Sequence, residues 1–181
     1  MNTRQIATAI LIAVLASFLG WKVFSTPEPE VDSETASQRQ FIASQAPAAA
    51  ILEDKCGIPM SVSITIAAMT TEFGEDERLA PSNAYFLLEV DSTSKVNTDT
   101  LWVGEVAIRA YQSPTRAYLD WAKELMKQDF YPLVKGKPIS EWLPYMEKWG
   151  YNITDMYQNF PELQAIDTIY TTNSNFTSNV E

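Results

Sequence analysis

Hydrophobic positions change their spacing several times along this chain. Residues Ile6 to Gly20 (IATAILIAVLASFLG) are uncharged and mostly apolar behind Arg4, and the run reaches Phe24 if Lys22 snorkels. This predicts an N-terminal hydrophobic helix over residues 1 to 25, acting as a signal peptide or as an uncleaved signal anchor. The anchor is the expected form, because no A-x-A cleavage site and no lipoprotein cysteine follow. Residues 26 to 38 (TPEPEVDSETASQ) hold two prolines and four acids and read as an extended acidic linker. The folded part is then expected from Arg39. Ala48, Ile51 and Leu52 fall at helical spacing behind Pro47, which suits a first turn, and predict a helix ending before Gly57 with Phe41 packed at its start.

From Cys56 to Thr71 the chain carries no charge, so this segment is expected to be buried. Val62, Ile64 and Ile66 alternate with Ser61, Ser63 and Thr65, which is the period of a strand, whereas Ala67, Ala68 and Met69 favour a helix. Residues Ala84 to Ala110 are rich in Val, Tyr, Thr, Phe and Leu, with a polar interruption from Asp91 to Thr100, and predict a β-hairpin or small sheet. Ser113-Pro114 sets a cap and a first-turn proline ahead of Ala117, Leu119, Trp121, Leu125 and Met126, a helical pattern. Further helices are predicted over Ile139 to Trp149 and Pro161 to Tyr170. The class is therefore α+β, with one domain over residues 39 to 181.

Composition narrows the chemistry. The chain of 181 residues has net charge −10. Arg4 and Lys22 are the only charges among residues 1 to 24, so a net +2 there leaves −12 on the remainder, a surface that repels nucleic acid. Cys56 is the only cysteine, which excludes an internal disulfide and any cysteine-cluster metal site. Histidine is absent. That removes Ser-His-Asp and Cys-His catalysis, histidine bases and the usual zinc hydrolase sites, so no metal or cofactor is expected. Proton transfer falls to carboxylates and tyrosines. Glu72 is the first charge after the uncharged segment. On a helix it shares a face with Thr65, Ala68 and Met69, and desolvation at the edge of a core would favour its protonated form.

The order of short motifs resembles the glucosaminidase domain of flagellar and autolysin muramidases. That family reads GI, then SVTLAQAxLESGWG, then LA, then NNLFGIK. Here Gly57-Ile58-Pro59 precedes Ser63-Ile64-Thr65-Ile66-Ala67-Ala68-Met69-Thr70-Thr71-Glu72-Phe73-Gly74. Leu79-Ala80 and Asn83-Ala84-Tyr85-Phe86-Leu87-Leu88-Glu89 follow. Ile108-Arg109-Ala110-Tyr111-Gln112-Ser113 is similar to the family's FRxYxS, and Trp149-Gly150-Tyr151 with Thr154-Asp155 and Tyr157 to its GYATDxxY. The chain departs from the pattern at Ala68, at Glu75 where the family has tryptophan, and at Ala84 where it has a second asparagine.

The resemblance implies a lysozyme-like α+β fold. A mainly helical lobe carries Glu72, a small β-hairpin lobe spans residues 84 to 110, and a sugar-binding groove lies between them. It makes residues 63 to 72 helical in spite of their alternation. It also implies hydrolysis of the β-1,4 bond after N-acetylglucosamine in peptidoglycan, with Glu72 as general acid. Asp99 is the expected partner carboxylate, with Glu89, Asp91 and Glu105 as further candidates, unless the substrate's N-acetyl group assists. Asn83, Phe86, Tyr111, Tyr151 and Tyr157 are the implied substrate-binding residues. The partners are then peptidoglycan glycan strands and, through the N-terminal helix, the membrane. The location is the inner membrane facing the periplasm, or the cell envelope after export. A catalytically impaired glycan-binding protein and a lytic transglycosylase are the rival readings.

Overall fold

The computed structural model describes residues 33–90 and 99–166, which from Glu34 onward belong to one compact unit. The expected hydrophobic helix of residues 1 to 25 and the first part of the acidic linker lie outside the described residues. Among the described residues no helix is long and apolar enough to cross a membrane.

Helix α1 spans Ser33–Cys56 and begins earlier than Arg39. The last six residues of the expected linker are its opening turns. Gln38, Phe41, Ile42, Gln45, Ala46, Ala49 and Leu52 recur at steps of three and four and are all buried, so the inward stripe runs through two glutamines. Glu34 near the start suits the positive end of the helix dipole. Pro47 lies inside the helix instead of opening it. Its missing N–H deprives the carbonyl of Ala43, an exposed residue.

Helix α2, Met60–Thr71, is buried on every side from Met60 to Ala68, which accounts for its lack of charge. Two of its short hydroxyl side chains bond back to the helix. Ser63 Oγ donates to the Met60 carbonyl at 3.2 Å and Thr71 Oγ1 to the Ala67 carbonyl at 2.7 Å, so these groups satisfy themselves on the helix's own backbone.

The β-lobe is narrower than expected. β1, Asp99–Val103, pairs antiparallel with β2, Val106–Ala110, in the register Trp102↔Ala107 and Leu101↔Ile108. Gly104, at φ 62, opens the two-residue turn between them. Asp99 and Thr100 thus belong to a strand and not to the polar interruption. Upstream, only a single bridge, Glu89↔Ile108, joins the sheet. Asn83 and Leu87 take left-handed φ values of 51° and 49°, which break an extended course through residues 84–88.

Helix α3, Pro114–Leu125, starts on its proline as predicted. The short α4, Tyr131–Val134, is followed by α5, Ile139–Lys148, by α6, Thr154–Asn159, and by helical residues 161–166. Trp121, Trp142, Tyr118, Leu52 and Ile64 are fully buried in the main core around α2, which touches α5 and α6. A second small core of Leu79, Ala84 and Ile108, with Leu101 and Val103 packed on it, seats the hairpin on the loop that follows α2. The architecture is α+β: a helical body with a two-stranded antiparallel appendage.

Candidate active site

Glu72 stands where α2 stops. Glu72 (φ 50), Phe73 (φ 54) and Gly74 (φ 87) are left-handed in succession, a costly conformation for the two residues that carry a Cβ. The surroundings enforce it. The N–H groups of Glu72 and Phe73 both donate to the Ala68 carbonyl, and Gly74 donates to the carbonyl and the hydroxyl of Thr71. Gly74 also lets Phe41 approach, since a Cβ there would lie 2.9 Å from that ring.

The Glu72 side chain is exposed, the one residue of this segment expected to stay out of the core, though at a more open place than a desolvating core edge. It lines a cavity of about 230 Å³ together with Phe73, Glu75, Phe160, Glu34 and Gln38. Phe73 is held between Phe41, at 6.0 Å centroid separation, and Phe160, at 5.1 Å, which form an apolar backing. The opening turns of α1 supply Glu34 and Gln38, linked by a 3.4 Å hydrogen bond. The described lining thus contains three carboxylates and no cation.

The other sequence-selected residues are placed differently. Asp99 is exposed at the start of β1 opposite Ala110, and is not among the described residues lining the cavity with Glu72. Glu89 and Glu105 are exposed, and Asp91 lies outside the described residues. Asn83 spends both ends of its amide internally, donating to the Tyr111 carbonyl at 2.8 Å and accepting from the Tyr85 hydroxyl at 3.1 Å.

Phe86, an implied sugar contact, is placed in the core. It is 2% exposed and stacked 4.6 Å from Trp121. Tyr111 is likewise buried, its hydroxyl donating to Asp120 Oδ2 at 2.9 Å. Half-buried Tyr151 donates to the Phe86 carbonyl at 2.6 Å, and burial pushes its phenol up to about 12. Tyr157 is half-buried on α6, and its carbonyl accepts from the Gln164 amide. Most motif residues of the β-lobe therefore fasten the loop of residues 82–90.

Arg109 completes that fastening. Its Nη1 meets Asp120 at 2.9 Å and Glu124 at 3.2 Å, and its Nε donates to the Glu89 carbonyl at 3.0 Å. Burial and the Asp120 carboxylate push the Tyr111 phenol well above its usual range. Glu124 is held below the usual carboxylate range by Lys127 and Arg109. Sequence reasoning missed Glu34, Gln38 and Phe160. The three-four spacing of α1 was the available signal for the first two, while nothing local marks Phe160. Among the described residues no group of three or more His, Cys, Asp or Glu side chains is placed to hold a metal ion.

This helical body with its small hairpin, and a carboxylate at the left-handed end of a buried helix, has the fold of solved glycoside hydrolase domains. The peptidoglycan hydrolase of Sphingomonas sp. A1 superposes with TM-score 0.54 at 22% identity, covering 71% of this chain and 86% of that one. The glycoside hydrolase domain of FlgJ from Salmonella typhimurium superposes with TM-score 0.55 at 18% identity, covering 78% and 92%. No family model matches this chain, and no curated protein matches it. The shared fold is the one the motif resemblance implied, on a divergent sequence.

Proposed function

We propose that this protein is a glycoside hydrolase acting on peptidoglycan glycan strands, with Glu72 as general acid at the β-1,4 bond after N-acetylglucosamine. The observation that carries the reading is Glu72 itself. It is held in an enforced left-handed turn at the end of a buried helix and exposed into a cavity with an aromatic backing. The fold shared with glycoside hydrolase domains supports it. Such an acid protonates the leaving oxygen while water or a second group attacks the anomeric carbon. The substrate places the protein at the cell envelope, and the apolar run of residues 6–20 is the means of export or anchoring.

For the second group, Asp99 has the hairpin position implied by the resemblance, whereas Glu75 and Glu34 line the same cavity as Glu72. The variant among Asp99→Asn, Glu75→Gln and Glu34→Gln whose loss approaches that of Glu72→Gln identifies it. Full activity in all three points to assistance by the substrate's N-acetyl group.

A second reading, glycan binding without turnover, is favoured by the departures of Ala68, Glu75 and Ala84 around Glu72 from the pattern that the chain otherwise resembles. The two separate on purified peptidoglycan. Release of reducing N-acetylglucosamine ends, reduced roughly 10² to 10⁴-fold by Glu72→Gln, is expected of the hydrolase. Binding without release supports the second reading. Anhydro-muramic ends would assign a lytic transglycosylase, and near-normal hydrolysis by Glu72→Gln would remove Glu72 from the mechanism.

A further inference from the structure

Trp102 is 66% exposed, more than any other large hydrophobic side chain among the described residues. With exposed Val90 on the same lobe it leaves an apolar patch in water, and such a patch is informative where a lone residue is not. Its surroundings explain how it is presented. One face of the hairpin is consumed by the small core, where Leu101, Val103 and Ile108 pack on Leu79 and Ala84. Trp102 lies on the other face opposite Ala107. The Val90 N–H donates to the Ala107 carbonyl at 2.8 Å, next to the Glu89↔Ile108 bridge, so Val90 flanks Ala107 on its far side. Trp102, Ala107 and Val90 therefore form one row across the sheet. On the same face Arg109 ties the lobe to α3 through Asp120 and Glu124. The indole is thus carried on a fixed frame and its faces are open.

The charge of the protein limits what can cover it. At a net −10, a second copy of this chain or an anionic ligand is repelled. Exposed Glu105, beside Trp102 in the hairpin turn, adds to that repulsion. A neutral sugar ring, with one apolar C–H face and polar edges, meets no such penalty.

We propose that Trp102 is a sugar-stacking platform, binding the apolar face of a neutral β-1,4-linked N-acetylhexosamine on the hairpin. This rests on the reading of the protein as glycan-directed. The test is titration of tetra-N-acetylchitotetraose, followed by calorimetry and tryptophan fluorescence, in a Glu72→Gln background that keeps the sugar intact. Trp102→Ala is expected to weaken binding about tenfold. Trp102→Phe should retain most of the affinity while losing the fluorescence response. At this exposed position the substitutions leave the core intact, and unchanged circular dichroism verifies it. Equal affinity of wild type and Trp102→Ala overturns the proposal alone. An effect of Trp102→Ala on self-association without an effect on sugar binding overturns it in favour of a dimer surface. A wild-type protein that binds neither the tetrasaccharide nor purified sacculi overturns both this proposal and the glycan-directed reading beneath it.

Discussion

Three consecutive left-handed residues turn the chain at Glu72, and Gly74 is the one whose replacement tests the turn. A Cβ there would sit 2.9 Å from Phe41 at φ +87. Gly74→Ala is expected to lose about 1–3 kcal/mol of stability by urea unfolding. It should also depress turnover, because Phe41 packs on Phe73, which backs the cavity. Wild-type stability in Gly74→Ala would mean that the turn relaxes freely. The place of Glu72 was legible in its uncharged approach and its motif register. Which residues surround it was not, because a helix-end glutamate meets whatever the rest of the fold packs beside it. Phe86 and Tyr111 show the same limit: an aromatic residue in a motif reads alike whether it meets sugar or, as here, Trp121 and Asp120 inside the fold.

Between elements, the ion pairs of Arg109 are the main polar tie from the hairpin to α3. With its side chain 8% exposed against Asp120 at 5%, removing the cation leaves that buried carboxylate only the Tyr111 hydroxyl and the more distant Lys123, at 3.7 Å. Arg109→Met is expected to cost about 3–5 kcal/mol by chemical denaturation. Arg109→Lys should recover only part, since one ammonium cannot serve Asp120, Glu124 and the Glu89 carbonyl together. Indistinguishable unfolding of Arg109→Met and wild type would show the tie to be dispensable. The helix behind Ser113-Pro114 was legible because its signals are local. The start of α1 was missed because Gln38 and Gln45 interrupt its apolar stripe. The breadth of the hairpin was overestimated because nothing in the alternation of residues 84–88 marks the left-handed turns at Asn83 and Leu87 that break it.

Across the whole molecule, burial raises the phenols of Tyr85, Tyr111, Tyr118, Tyr131 and Tyr151 above the ordinary 10.0, that of Tyr151 to about 12. A raised folded value favours the neutral phenol in the folded state. Its contribution is fully present below the unfolded value and is lost as pH rises through the folded one. Stability should therefore decline steadily above pH 10 or so, with phenolate absorbance appearing together with loss of near-ultraviolet circular dichroism. Tyr151→Phe should flatten that decline. Complete phenolate formation in a protein that keeps its tertiary signal would refute the expectation. The sequence by itself determined the helical body, the hairpin, the exclusion of histidine and cysteine chemistry, and Glu72 as the group to examine. All of these follow from composition, short-range periodicity and motif order. The tertiary structure alone decided that α2 is a helix despite its strand-like alternation, since complete burial is a property of what surrounds it. It also decided that Glu34, Gln38 and Phe160 meet Glu72, and that Asn83, Phe86 and Tyr111 face inward while Trp102 faces out. Such neighbourhoods join residues far apart in the chain, and no local pattern encodes them.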